Sequence, residues 1–201
     1  NGFRILASPS GFDFHSSGAV AISSDDRIVI AGLTGSDADP SKRPFLRRLL
    51  PDGTDDPSFI QDIPTYLFGL NSKIGNIGLQ PDGKIVLATV ANWGFPFSGL
   101  QVIRYTANGL LDTDFAFGAG YRSLSVGVSH QSAYVGIKNT GEIFLAATIQ
   151  GNPFSNPYSA ESYSAFITRL KPNGETDGLT PVGGSSYYPQ SPEQGQVEVF
   201  M

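Results

Sequence analysis

Three arginines, Arg48, Arg104 and Arg169, are each followed eight residues later by an aspartate: Asp56, Asp112 and Asp177. A guanidinium and a carboxylate at that spacing can meet across a hairpin return, where two parallel charge-assisted hydrogen bonds would fix the turn. The set has two readings. The arginines either form a ring facing an anionic ligand in a central channel, or each pair braces its own unit. The bracing reading is preferred, because a feature written once per repeat usually belongs to the repeat.

Other chemistry-bearing side chains are sparse. His15 and His130 lie 11 residues before Asp26 and Gly141, so they occupy equivalent places, with Ser72 in the middle copy. Two imidazoles are short of a zinc set, and ordinary polar loop residues are expected there. The stretch Asp-Gly-Thr-Asp-Asp (Asp52 to Asp56) places carboxylates near a turn, as calcium loops do, but lacks the twelve-residue ligand pattern with its closing Glu. It is read as a turn, with calcium as the alternative; no other metal or cofactor is expected. The absence of cysteine removes disulfides, thiol nucleophiles and cysteine-ligated zinc. No serine elbow, phosphate loop or dinucleotide fingerprint is present, and no catalytic residue is assigned.

Composition narrows the partners. Charged residues make up 15% of the 201, below the ~25% of an average soluble domain, and the formal net charge is −5. Basic residues occur singly or in short groups such as Lys42-Arg43, with no stripe to neutralise a phosphate backbone, so nucleic acid is not an expected partner. No apolar run approaches the ~18 residues of a membrane-spanning helix. The chain opens at Asn1 without an initiator Met, a basic segment or an apolar leader, so a processed or cut terminus is expected.

The elements that would position these residues are written three times. "SDDRIVIAG" (Ser24 to Gly32), "PDGKIVLAT" (Pro81 to Thr89) and "NTGEIFLAA" (Asn139 to Ala147) share a turn and a strand, with turn residues Asp26, Gly83 and Gly141 spaced 57 and 58 residues apart. Downstream, "LRRLLPDGTDDPSF" (Leu46 to Phe59), "VIRYTANGLLDTDF" (Val102 to Phe115) and "ITRLKPNGETDGL" (Ile167 to Leu179) form a second block with turn glycines Gly53, Gly109 and Gly174. Asp-Gly and Asn-Gly suit tight hairpins, where glycine has no Cβ to clash and Asp or Asn tolerates left-handed backbone. β-Branched and aromatic runs between turn clusters predict four short strands per unit, and no stretch carries a helical stripe.

Four antiparallel strands in ~40–60 residues match a propeller blade. The expected fold is therefore all-β, a β-propeller-type repeat of three four-stranded antiparallel blades in one domain. The units span about 8–69, 70–126 and 127–201, with an extra strand at 1–7. Propellers close with 4–8 blades. Three blades form part of a ring, completed either by a second copy in a six-bladed dimer or by neighbouring repeats of a longer chain.

"LQPDGKIVLATV" (Leu79 to Val90) followed by "VIRYTANGLLDTDFAFGAG" resembles the delta-60 repeat family of bacterial β-propeller-like proteins. The middle unit carries the pattern at Pro81, Asp82, Gly83, Lys84, Arg104, Tyr105, Asn108, Gly109, Asp112 and Phe115. The first unit departs at Asp26, and the third has Thr140-Gly141-Glu142 and lacks the final Phe. The resemblance implies a propeller-like fold, often within exported or surface-associated bacterial proteins, so a secreted or cell-surface location is expected. It implies no shared active site.

Specificity is expected in the loops that do not repeat. "ANWGFPFSG" holds Trp93, Phe95 and Phe97; "QGNPFSNPYSAESYS" holds Phe154, Tyr158 and Tyr163; "GSDADPSKRP" holds Asp37 and Asp39. All three join the second and third strands of their units and should emerge on one face. Aromatics beside Asn, Ser and Asp can stack on sugar rings or anchor a protein, or they can fold back over blade edges. The expected function is a non-catalytic interaction or assembly scaffold with recognition on that face. The alternative is a carbohydrate-binding module, and a propeller glycoside hydrolase or lyase stands third.

Overall fold

The computed structural model describes residues 13–36, 39–60, 72–92, 98–124, 129–150 and 163–176. Within them the chain is all-β, in three antiparallel sheets. The first sheet has strands β1 (Asp13–Ile22), β2 (Ile28–Ser36) and β3 (Asp39–Leu49) in sequence order. The second has β4 (Lys73–Leu79), β5 (Ile85–Asn92), β6 (Ser98–Tyr105) and β7 (Tyr121–Leu124). The third has β8 (Ser129–Ile137), β9 (Ile143–Gln150) and β10 (Tyr163–Leu170). The expected closing strands of the first and third units, and the extra strand at 1–7, lie outside the described residues.

The repeated turn is a three-residue loop. In the middle blade Gln80 N–H donates to the Lys84 carbonyl at 2.9 Å and Gly83 N–H to the Gln80 carbonyl at 2.9 Å, with Gly83 at φ 82°. Only the third loop residue is left-handed, the glycine-bulge hairpin geometry. Asp82 does not share that conformation; its carboxylate accepts the Lys84 N–H at 3.2 Å. Asp26 takes the same position at φ 61°, which an aspartate tolerates better than most residues. The second turns are alike: the pairs Leu49 with Asp55, Tyr105 with Leu111 and Leu170 with Thr176 close all three.

The sheets stack face to face as blades, with the first strands of neighbours against one another. Strand alternation gives each blade a trailing face toward the preceding blade and a leading face toward the next. The leading face of the first blade (Val29, Ala31, Leu33, Leu46) packs on the trailing face of the second (Ile77, Ile85, Leu87, Ile103, Tyr105). The leading face of the second (Val86, Ala88, Val90, Leu100, Val102) packs on the trailing face of the third (Val135, Ile143, Leu145, Phe166, Leu170). Each fully buried aliphatic or aromatic side chain in these layers contributes about 1.5–3 kcal/mol. Gly75 admits a close approach of two blades, since a Cβ there would lie 1.8 Å from the Ala133 carbonyl oxygen.

Candidate functional site

Two of the repeat arginines, Arg48 and Arg104, lie at the boundaries between blades. The hairpin return donates Asp56 N–H to the Arg48 carbonyl at 3.0 Å and Asp112 N–H to the Arg104 carbonyl at 2.9 Å, which sets each carboxylate beside its guanidinium. Arg48 Nε then donates to Asp56 Oδ2, and Arg104 Nε to Asp112 Oδ2, both at 2.8 Å. Each arginine also reaches the next blade. Arg48 Nη1 donates to the Ala107 carbonyl and Arg104 Nη1 to the Pro172 carbonyl, both two residues before a turn glycine.

The phenylalanine three residues after each aspartate completes the contact. Arg48 stands 4.8 Å from the centre of the Phe59 ring and Arg104 4.5 Å from that of Phe115, within cation–π range. The same rings cover the next blade's turn glycines: a Cβ on Gly109 would lie 2.8 Å from Phe59, and one on Gly174 2.4 Å from Phe115. Ile60 N–H donates to the Asn108 carbonyl at 2.7 Å and Ala116 N–H to the Asn173 carbonyl at 2.9 Å. Arginine, aspartate and phenylalanine of one unit thus clasp the Asn-Gly turn of the next. This is an inter-blade latch, wider than a brace within one turn.

A further cation joins each acid. Arg27 Nε lies 3.2 Å from Asp56 Oδ2, and Lys84 Nζ lies 3.3 Å from Asp112 Oδ2. Both occupy the residue after the first turn. The third blade has Glu142 there, and it pairs with Arg169 at 3.7 Å and with Lys138 at 3.3 Å; Asp177 lies outside the described residues. Hydrogen bonds from the Ser58 hydroxyl and N–H hold the Asp56 carboxyl down to about 2, against a smaller opposing effect of burial, and Arg48 adds to the lowering. Burial raises Asp112, but the Arg104 charge, the Asp114 N–H and Lys84 together hold it below the usual aspartate range.

The other acids of the Asp52 to Asp56 stretch are turned to separate partners. Asp52 Oδ1 accepts from the Thr54 N–H at 2.8 Å and its hydroxyl at 2.6 Å, while Asp55 pairs with Arg47. Among the described residues no group of three or more His, Cys, Asp or Glu could hold a metal ion. His15 lies in β1 and His130 in β8, each at a break in strand register.

Of the recognition residues, Trp93, Phe95, Phe97, Phe154, Tyr158 and Asp37 lie outside the described residues. Asp39 opens β3 and pairs in register with Ser36; Tyr163 opens β10 opposite Gln150. With Asn92 opposite Ser98 in the middle blade, the three loops leave from equivalent ends of their hairpins, away from the glycine turns. At the turn end the first strands border a recess of about 420 Å³, lined by Ile22, Ser23, Leu79, Gln80, Ile137 and Lys138.

Two features escaped the sequence reading. Gln80, one residue before the Pro-Asp-Gly turn, donates to the Gly141 carbonyl at 2.7 Å and the Pro172 carbonyl at 3.2 Å, binding both turns of the third blade. Phe117 is 81% exposed on left-handed backbone at φ 62°, behind Ala116 at φ 51°. Its "FAFGAG" context, an aromatic between Ala and Gly beyond the end of the repeat motif, was the available signal.

Residues 23–59 and 80–115 are similar to the family described as "Domain of unknown function (DUF5122) beta-propeller", covering the turn, strand and latch residues of the first two units. Among curated proteins, none matches this sequence. Among solved structures, the Bombyx mori GH32 beta-fructofuranosidase BmSUC1 is similar over 85% of this chain and 38% of its own, at 14% identity and a TM-score of 0.43. This chain therefore spans well under half the length of that protein. The stacked antiparallel sheets and the family match together make the fold a β-propeller-type repeat, with three blades among the described residues.

Proposed function

We propose that this chain is a non-catalytic scaffold that holds variable loops for recognition of a partner. The observation that carries this reading is the division of labour along each blade. Arginine, aspartate, phenylalanine and glycine of the repeat are committed to joining blades, while the non-repeating loops leave from equivalent strand ends at the opposite side. Rigid scaffolds with variable loops commonly carry function in those loops. The partner is a protein surface, met outside the cell or at its boundary.

Carbohydrate binding is the second reading, favoured by the loop composition: Trp93, Phe95, Phe97, Phe154, Tyr158 and Tyr163 stand among Asn, Ser and Gly. Trp93 is the chain's single tryptophan, so its fluorescence reports on one loop. A glycan panel, with and without calcium, should leave that emission unchanged if the partner is a protein. A saturable quench that disappears in a folded Trp93→Ala variant would replace the protein reading with the lectin one.

A further inference from the structure

The two joints inside this chain are copies of one another, and each uses different faces of its two blades. Positions can therefore be compared between the joined faces and the two end faces. On leading faces, Val29 and Leu46 of the first blade are 2% and 0% exposed, and Val86 and Val102 of the second are both 0% exposed. Their equivalents on the third blade, Phe144 and Ile167, are 37% and 50% exposed, beside Tyr134 at 56%. On trailing faces, Ile77 and Val135 are 7% and 6% exposed, whereas their first-blade equivalent Val20 is 65% exposed and the neighbouring Ile22 66%. Both end faces thus present apolar side chains at positions that the internal joints bury, while Arg47, paired with Asp55, takes the place of Ile103 and Thr168 on the first blade.

The latch has its two halves at the same two ends. The third blade carries Arg169 at the latch position. The first blade carries the turn Leu50-Pro51-Asp52-Gly53, matching the Lys171-Pro172-Asn173-Gly174 turn whose Pro172 carbonyl receives Arg104. Existing partners do not prevent a further contact, because Arg104 serves Asp112, Gln80 and Pro172 at once through its several N–H groups.

We propose that the leading face of the third blade docks on the trailing face of the first blade of a second copy of this chain, head to tail. Two such joints close a six-bladed ring. The occupant is a second copy because one chain carries both halves of the joint. Two copies of the three described blades also give a blade number within the 4–8 of closed propellers, whereas three copies give nine. In sequence the third unit has Thr180 at the position of Phe59 and Phe115, so no phenylalanine is encoded there to cover a turn glycine, and the joint between chains is the one that opens on dilution. The inference deepens the scaffold reading and rests on its blade arrangement; it makes no use of the loops.

Sedimentation equilibrium on the full chain tests it, using the wild type, Ile167→Asp, Ile22→Asp and an equimolar mixture of the two variants. Both residues are at least half exposed in the single chain, so the circular dichroism spectrum should be unchanged, as should the thermal melt at dilutions where the wild type is monomeric. The wild type should be a dimer, and each aspartate should weaken it roughly a hundredfold by facing a charge into an apolar joint. The mixture should recover dimer that neither variant forms alone, because one of its two joints is intact. A monomeric wild type, a dimer that survives both substitutions, or one lost with Ile167→Asp alone would each overturn the proposal. In none of these cases would the Trp93 response change, so failure of the ring and failure of the loop reading stay distinguishable.

Discussion

At the scale of single residues, the latch is a buried ion pair whose partners differ in what else holds them. Arg104 and Asp112 side chains are each 5% exposed, so neither charge can return to water when the other is removed. Asp112→Asn should therefore lower stability by about 3–5 kcal/mol, the usual loss on breaking a buried pair from one side. The same groups set the acid response. The Asp56 carboxyl is about 2 when folded and about 4 when unfolded, and Asp112 is lowered in the same direction. A depressed carboxyl contributes stability that is complete above the unfolded value and lost as pH falls through the folded one. Urea midpoints should accordingly fall between about pH 4 and pH 2, and Asp112→Asn should flatten that slope without abolishing it, since Asp56, Asp25 and Glu142 are lowered too.

At the scale of strands and turns, close approach between blades is set by small residues on the first strands. Gly75→Ala puts a methyl 1.8 Å from the Ala133 carbonyl oxygen, and no side-chain rotation can relieve a clash with backbone. The expected loss is about 1–3 kcal/mol or more, read from urea unfolding, with the joint between the second and third blades loosened first. The strand and turn pattern was legible in the sequence because each hairpin is local: the three glycine turns of the second block, and β2, β5 and β9 after the first turns, all stand where the repeats put them. What joins blades was not legible. Arg48 and Asp56 are eight residues apart, but Arg48 and Ala107 are 59 apart, and no spacing within one unit announces that contact. Lys84 and Glu142 stand at one repeat position with opposite charges, and only the fold reveals that Lys84 pairs with the latch aspartate and Glu142 with the repeat arginine. Likewise, Thr89 faces Gln101 in a row where the other blades pair Gly32 with Phe45 and Ala147 with Phe166, a substitution with no local signature.

At the scale of the whole molecule, the middle blade is covered on both faces and belongs to both core layers, whereas each outer blade belongs to one. Stability in such arrays is close to a sum of unit and nearest-neighbour terms. At dilutions where the chain is a monomer, amide hydrogen exchange should therefore be slowest in Ile85–Asn92 and Ser98–Tyr105 and faster in Tyr163–Leu170. Equal protection across the three sheets of the monomer would refute this nearest-neighbour description. The latch also has a lopsided grammar. Its giving side is written mostly in side chains, Arg, Asp and Phe, with the backbone N–H of Ile60 and Ala116 beside them, but its receiving side is the carbonyls of Ala107, Asn108, Pro172 and Asn173, which every residue possesses. Mutation can erase the plug but not the socket, provided that the glycine turn survives. A blade copied, deleted or shuffled within a gene would therefore arrive with its receiving half already working, and selection would need to police only one side of every seam.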